Sequence, residues 1–447
     1  MNGKRTSTCE RPTPPGIYSA PIPLPSFPAY ATMKVALIPL FARTLRWRPG
    51  GLMRHGSALL VWMFLRAAAQ ASIVVLLARQ LGSQAYGQFV AVIAVASIFT
   101  PFVGLGLSNM VLRNAARDPA HEAIYFAHAV RWWWRSWLPC LTVAAVAAIT
   151  LLPNGLPFAA VCAVIGAELL TASLVDLRAR HQQAQQNTHI YGAINAGLPA
   201  IRLLAFGAFF VTTEKTDAAG ILWIYAASSL IYAFFMWPMA SSQACSSDAL
   251  GSEPMTVSNG LPFSLAAFAM KLQGEFNKPL LARSGFGLAG TYNVAQRAVD
   301  MASLPLLALQ ESLWPRLYAQ RNPLPQLRRT GLVLLMLALA LSCVLWLAAP
   351  LLPWLVGPSY ESAVAVLRML VWLPLLQVFR ALLNFYAIHH GHMLLIGWAY
   401  AIGAAVSVAG VMALVPALGM VGAVLASYAA EAAMITYLFV MTRRQVQ

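Results

Sequence analysis

Twelve stretches of about 20 predominantly apolar residues, each bounded by polar residues or by Pro and Gly, follow one another along the chain. They run approximately over 56–78, 87–111, 136–152, 156–176, 192–212, 219–239, 261–282, 287–313, 331–352, 362–388, 393–414 and 417–441. A helix of that length crosses the roughly 30 Å hydrocarbon core of a bilayer. Within lipid, only a helix or a closed barrel satisfies every backbone N–H and C=O. The chain therefore reads as an all-α polytopic membrane protein. Charged residues make up 10% of it, against about 25% in soluble domains. The formal charge of +16 would suggest nucleic acid in a soluble chain. In a membrane chain it poses a question of topology instead, and no nucleic-acid partner is expected.

Lys and Arg accumulate in short cytoplasmic loops. With the N-terminus inside, 20 of the 30 basic residues fall on the cytoplasmic side, among them Arg113, Arg117, Arg131 and Arg135 in one loop and Arg178 and Arg180 in another. Only Arg79, Lys215 and Arg283 fall outside. Both termini are thus predicted to be cytoplasmic. Residues 1–54, Pro-rich and then basic, are expected to be a disordered cytoplasmic segment with no visible signal-peptide pattern. Residues 55–240 form an N-lobe of spans 1–6, the Ser- and Gly-rich 241–260 a linker, 261–441 a C-lobe of spans 7–12, and 442–447 a cytoplasmic tail.

A repeat supports the two lobes. Leu77-Ala78-Arg79 closes span 1 before a Gly-rich turn and Gly87; Leu281-Ala282-Arg283 closes span 7 before another Gly-rich turn and Gly290. Six helices per unit place both hairpins in the same orientation. That predicts two six-helix bundles related by a pseudo-two-fold axis along the membrane normal.

Residues 77–117, with Leu81, Gly82, Tyr86, Gly87 and Phe89 in the first turn and the segment Gly104 to Asn109 ahead of a basic loop, resemble the first hairpin of Wzx-type polysaccharide flippases. These belong to the multidrug/oligosaccharidyl-lipid/polysaccharide exporter superfamily. Residues 281–317 and 357–370 are similar to further segments of that family, and the likeness covers roughly 56–441. It implies a V-shaped, alternating-access transporter that exports an undecaprenyl-pyrophosphate-linked oligosaccharide for surface polysaccharide biosynthesis. Membrane lipids, a polysaccharide polymerase and other assembly proteins are the implied partners.

Charge at a helix centre costs about 2.5–3.5 kcal/mol on insertion scales, so such residues face a cavity or a partner. Lys271, Glu275 and Lys278 share one face of span 7, and Asn293, Arg297 and Asp300 one face of span 8. Arg66 with Gln70, Asn195 with Arg202, and Gln377 with Arg380 and Asn384 share faces of spans 1, 5 and 10. A lumen lined by Arg66, Arg202, Lys271, Lys278, Arg297 and Arg380 would suit a pyrophosphate. The alternative for spans 7 and 8 is local ion pairing. Arg66 and Arg202, with no partner on their own helices, are the stronger substrate candidates. No P-loop occurs, so an ion gradient coupled through Glu168, Glu275, Asp300 or Glu431 is the expected energy source.

No cofactor or metal signature is present: the five Cys are dispersed, and His389, His390 and His392 read as a solvated turn. Trp132, Trp133 and Trp134 between Arg131 and Arg135 read as an interfacial anchor. External loops of about four to ten residues leave no room for the catalytic loop of a polymerase or ligase, so no enzyme is expected. An ion-coupled small-molecule exporter of the same superfamily is the competing reading.

Overall fold

The computed structural model describes residues 51–213, 217–237, 255–318 and 324–446; of 51–60, 311, 312, 315–318, 445 and 446 it describes the backbone. Most of the expected N-terminal segment 1–54 and of the linker 241–260, together with Lys215 and Arg321, lies outside the described residues.

The described chain is helical throughout. Among these residues nine helices are long and apolar enough to cross a membrane. The first of them, Val61–Phe102, is two spans in one. Its parent helix Gly51–Phe99 is broken at Gly82, whose φ of 66° and ψ of 177° lie outside the helical region. Glycine reaches that conformation without a Cβ penalty, so the hairpin turn falls on the residue that the sequence marks. The remaining two spans are Val257–Glu275 with Asn277–Ser284 and Phe286–Ala302 with Leu304–Tyr318. These are spans 7 and 8, and they carry Lys271, Glu275, Lys278, Arg297 and Asp300, charge enough to hide two crossing helices from a hydropathy criterion. The others are Glu122–Leu151, Phe158–Ala184, Thr188–Thr212 and Ala218–Met236 in the first lobe. Leu324–Ala348, Glu361–Leu370 with Leu373–His389, Met393–Leu418 and Met420–Val446 complete the second.

Several boundaries differ from expectation. Span 3 begins at Glu122, well before residue 136, so Arg131 and Arg135 ride on its first turns rather than in a loop. The Trp run is therefore not a uniform interfacial anchor. Trp133 is 1% exposed and its indole Nε1 donates to Ser173 Oγ at 2.7 Å, while Trp134 stays 44% exposed. On a helix adjacent residues point in different directions, so Trp133 is buried, Trp132 packs half-buried against the core and Trp134 is left outside. Span 4 likewise continues to Ala184, which carries Arg178 inside the bundle with its guanidinium 5.0 Å from the Phe126 ring centroid. Span 2 is interrupted at Thr100–Phe102 and resumes at Leu107. Positive φ values at Gly104, Leu105 and Gly106 make that break, and the GLGLSN segment sits on it. Span 7 starts at Val257, inside the expected linker.

The repeat is visible in the packing between lobes. A Cβ on Gly87 would run into the carbonyl of Phe286, and one on Gly290 into the carbonyl of Ser83. The two contacts exchange roles as a two-fold axis requires, so spans 2 and 8 cross backbone to backbone. Asn293 Nδ2 donates to Tyr86 Oη at 2.8 Å beside this crossing. At the other end of span 2, Ser264 Oγ of span 7 donates to the Pro101 carbonyl at 2.7 Å. Phe268 packs against Phe102 there, with ring centroids 4.9 Å apart.

Candidate functional site: the charged cavities between and within the lobes

Each lobe holds an Arg–Glu–Tyr triad drawn from its last three spans. In the first lobe Arg202 Nη2 of span 5 lies 2.5 Å from Glu168 Oε2 of span 4, and Tyr225 of span 6 donates to the same carboxylate oxygen at 2.7 Å. The guanidinium also donates to Ser229 Oγ from Nη2 at 2.9 Å and from Nε at 3.1 Å. In the second lobe Arg380 Nε of span 10 lies 2.7 Å from Glu431 Oε2 of span 12, and Arg380 Nη1 donates to Tyr400 Oη of span 11 at 2.9 Å. Gln273 Nε2 reaches Glu431 Oε1 at 3.3 Å. The three residue types recur on equivalent spans in permuted order. Burying a charge in lipid is tolerable once it is paired and hydrogen-bonded, and both triads meet that condition.

Spans 7 and 8 supply a third cluster. Lys278, 1% exposed, pairs with Glu275 one turn earlier. Arg297 bridges Glu275 at 3.6 Å and Asp300 at 3.9 Å. The expected alternative of local ion pairing therefore describes Glu275, Lys278, Arg297 and Asp300 well. Lys271 stands apart, exposed and without an ion pair among the described residues.

Three cavities meet at these groups. The first, about 420 Å³, lies within the second lobe and is lined by Lys271, Glu275, Asp300, Arg380 and Glu431 among others. The second, about 290 Å³, lies between the lobes and receives Arg202 and Tyr225 from one side and Lys278, Arg297, Glu275 and Asp300 from the other. The third, about 240 Å³, is lined by the break in span 2, by Ser108 and Asp176, and again by Lys271. Lys271 thus borders two cavities, and Glu275 and Asp300 border two.

Nine of the ten charged residues named from the sequence stand in or directly behind these cavities, with Glu168 behind Arg202. Arg66 is the exception. It is exposed on span 1, bonds Asn195 Oδ1 at 3.4 Å, and lines none of the three. Arg202 is not the unpartnered cation its own helix suggested, because Glu168 lies 34 residues away in sequence on another span. Sequence reasoning passed over Tyr225, Ser229, Tyr400 and Gln273. Their signal, isolated polar side chains in apolar runs, is shared by many residues that bond only their own helix.

No family model and no curated protein matches the chain in sequence. Solved structures do match in fold. A multidrug resistance MATE family transporter of the MOP superfamily in an inward-facing conformation has a TM-score of 0.65 at 13% identity, over 88% of this chain and 98% of that one. The chain has the fold of a MOP-superfamily transporter. An outward-facing conformation of a MATE family transporter of the same superfamily scores 0.52 at 15% identity, over 90% of this chain and 97% of that one. A MOP superfamily transporter from Pyrococcus furiosus, described as having a binding pocket of reverse polarity that suggests a different function, scores 0.56 at 14% identity, over 88% of this chain and 96% of that one. The all-α architecture of two six-span lobes expected from the sequence is thus the observed one, in the fold of these transporters, and the chain is a multi-pass membrane protein.

Proposed function

We propose that the protein is a flippase that carries an isoprenoid-pyrophosphate-linked oligosaccharide, of the undecaprenyl type, across the bacterial inner membrane for surface polysaccharide assembly. The observation that carries this reading is the wall of the inter-lobe cavity, where Arg202, Lys278 and Arg297 outnumber Glu275 and Asp300. Lys271 adds an unpaired cation at the edge of the neighbouring cavities. Phosphate oxygens pair with guanidinium and ammonium groups through charge-assisted hydrogen bonds. The reverse polarity of the binding pocket described for the Pyrococcus furiosus transporter, and the different function it is said to suggest, are a precedent for a change of function on this fold. Cytoplasmic placement of both termini, from the basic-residue count, sets the direction of export.

Alternating access then needs the lobes to part and close at the crossing of spans 2 and 8, powered by an ion that binds a membrane carboxylate. Glu168 and Glu431 are each held by an Arg, so protonation of either would release its Arg to the cavity. This couples the ion directly to the Arg that would meet the anionic substrate. The competing reading, an ion-coupled exporter of small organic molecules, draws on the multidrug transporters among the neighbours and on four carboxylates that could meet a cationic drug.

The decisive experiment reconstitutes the full chain in proteoliposomes with a fluorescent isoprenyl-pyrophosphate-linked sugar and follows its loss from the accessible leaflet. The flippase reading expects protein-dependent translocation that bare isoprenyl phosphate competes for and ethidium does not. Ethidium transport with no lipid translocation would establish the exporter instead.

A further inference from the structure

The cavity inside the second lobe has a different chemistry from the one between the lobes. Its cations, Lys271 and Arg380, are fewer than its carboxylates, Glu275, Asp300 and Glu431. Its wall also carries apolar side chains such as Met270, Val299, Leu370 and Leu373, and neutral polar groups from five spans: Gln273, Asn277, Gln296, Gln377, Tyr400 and Ser427, on spans 7, 8, 10, 11 and 12.

Two of these amides carry an acceptor with nothing to accept. Asn277 Oδ1 and Gln296 Oε1 are buried and without a hydrogen-bond partner. Asn277 is 2% exposed, and its other end is held, with Nδ2 donating to Tyr292 Oη at 2.8 Å. Gln296 is held the same way, with Nε2 donating to the Gly274 carbonyl at 3.2 Å. The Gly274 carbonyl only accepts, so it sets the orientation of the Gln296 amide and leaves Oε1 idle; the Tyr292 hydroxyl can donate or accept and holds Asn277 in place without fixing which end faces it. Leaving a buried acceptor unsatisfied costs about 1–3 kcal/mol, which a ligand bearing O–H donors would recover. Asp300, whose nearest cation is Arg297 Nη1 at 3.9 Å, is a carboxylate able to accept two neighbouring hydroxyls at once.

Glu431 and Glu275 are occupied by Arg380 and by Lys278 and Arg297. The groups that remain want hydrogen-bond donors more than positive charge. We propose that this cavity is a carbohydrate subsite: it takes the first sugar rings of the cargo through their hydroxyls, while the cationic inter-lobe cavity takes the pyrophosphate. Glu275 and Asp300 border both cavities and mark where the two portions would join. The proposal rests on the flippase reading and adds to it a physical reason for preferring glycosylated over bare lipid carrier. A site built to bond hydroxyls discriminates strongly against a ligand that lacks them, because its polar groups are then left unpaired.

The test measures binding to the full chain in lipid nanodiscs by tryptophan fluorescence, with farnesyl pyrophosphate and farnesyl-pyrophosphoryl-N-acetylglucosaminyl disaccharide as probes. Wild-type protein should bind the sugar-bearing probe about tenfold more tightly than the bare one. Gln296→Leu and Gln377→Leu, on separate spans, should each weaken the sugar-bearing probe about five- to tenfold, the loss of one polar contact, and leave farnesyl pyrophosphate unchanged. Retention on size-exclusion chromatography checks that each variant is folded, and Gln377→Leu carries the test if Gln296→Leu fails to fold. Equal affinity for the two probes in the wild type, or equal weakening of both in the variants, overturns the subsite and leaves the flippase reading standing. Displacement of the sugar-bearing probe by tetraphenylphosphonium, with no effect of either Gln variant, makes the cavity a cation site and overturns the proposal. Failure of both probes to bind overturns the flippase reading and the subsite with it.

Discussion

Removal of Glu168 isolates what the first-lobe triad does. Arg202 and Glu168 are each only 12% exposed through their side chains, and their N–O separation is 2.5 Å. Glu168→Ala strips the guanidinium of its counter-charge and Tyr225 of its acceptor, leaving Ser229 as the one remaining side-chain hydrogen-bond partner seen for Arg202. Breaking a buried pair from one side costs about 3–5 kcal/mol. At about 1 °C per kcal/mol for a chain of this length, the apparent melting temperature should fall by roughly 3–5 °C. Arg202→Ala should cost a similar amount, since it strands the carboxylate instead. The double variant Glu168→Gln/Arg202→Met removes both charges at near-constant volume. It should recover most of the loss, because pairing two charges in a low-dielectric site only about offsets their desolvation. Fluorescence-detected size-exclusion after a heating series measures all four proteins in one detergent, and translocation in liposomes separates stability from transport. The double variant is expected to be stable and inactive. A single-variant loss under 1 kcal/mol, or a double variant as unstable as the two singles added together, would refute the view that the triad is a tightly coupled buried pair.

Four further outcomes are expected. Lys271→Ala, at an exposed and unpaired position, should leave stability within about 0.5 kcal/mol yet slow translocation of the pyrophosphate-linked lipid at least about tenfold in the liposome assay; unchanged transport removes Lys271 from the site. Arg66→Ala should slow it less than Lys271→Ala, reversing the order that the sequence alone suggests, and the same assay ranks the two. Gly290→Val places side-chain atoms where the Ser83 backbone lies, so spin labels across spans 2 and 8 should report a wider separation and transport should stop; an unaltered distance distribution contradicts the close crossing. Trp133→Ala should cost about 3–5 kcal/mol by removing a buried indole, against under about 1 kcal/mol for Trp134→Ala, as thermal melts of the two variants will show.

Much of the architecture is legible in the residue order. Apolar runs of spanning length, the Gly-rich turns after Arg79 and Arg283, and the doubled Leu-Ala-Arg motif predict the helices, the hairpins and the two lobes. The misplaced boundaries have a common cause. Glu122 to Arg135 and Arg178 to Ala184 are polar enough to read as loops, yet they are helical extensions that the bundle shelters at its rim. There a buried Trp133 or Arg178 is supported by neighbours on other spans. Spans 7 and 8 show the opposite effect. They read as spans from runs of spanning length, although their charges make them less apolar than the others, because a helix with one polar stripe can still cross if that stripe faces protein.

Candidate charges were legible as residues but not as an arrangement. Helical spacing puts Lys271, Glu275 and Lys278 on one face, and it correctly pairs Arg297 with Asp300, since those partners lie within one turn. It is silent on Arg202 with Glu168 and on Arg380 with Glu431, which are separated by 34 and 51 residues. The sequence by itself thus determined which segments enter the membrane, because the cost of placing each residue in lipid is local and sums along the helix. Only the tertiary structure decided which cations are neutralised and which, such as Lys271, remain available, because Coulomb and hydrogen-bond partners are fixed by distances between helices that residue order does not encode.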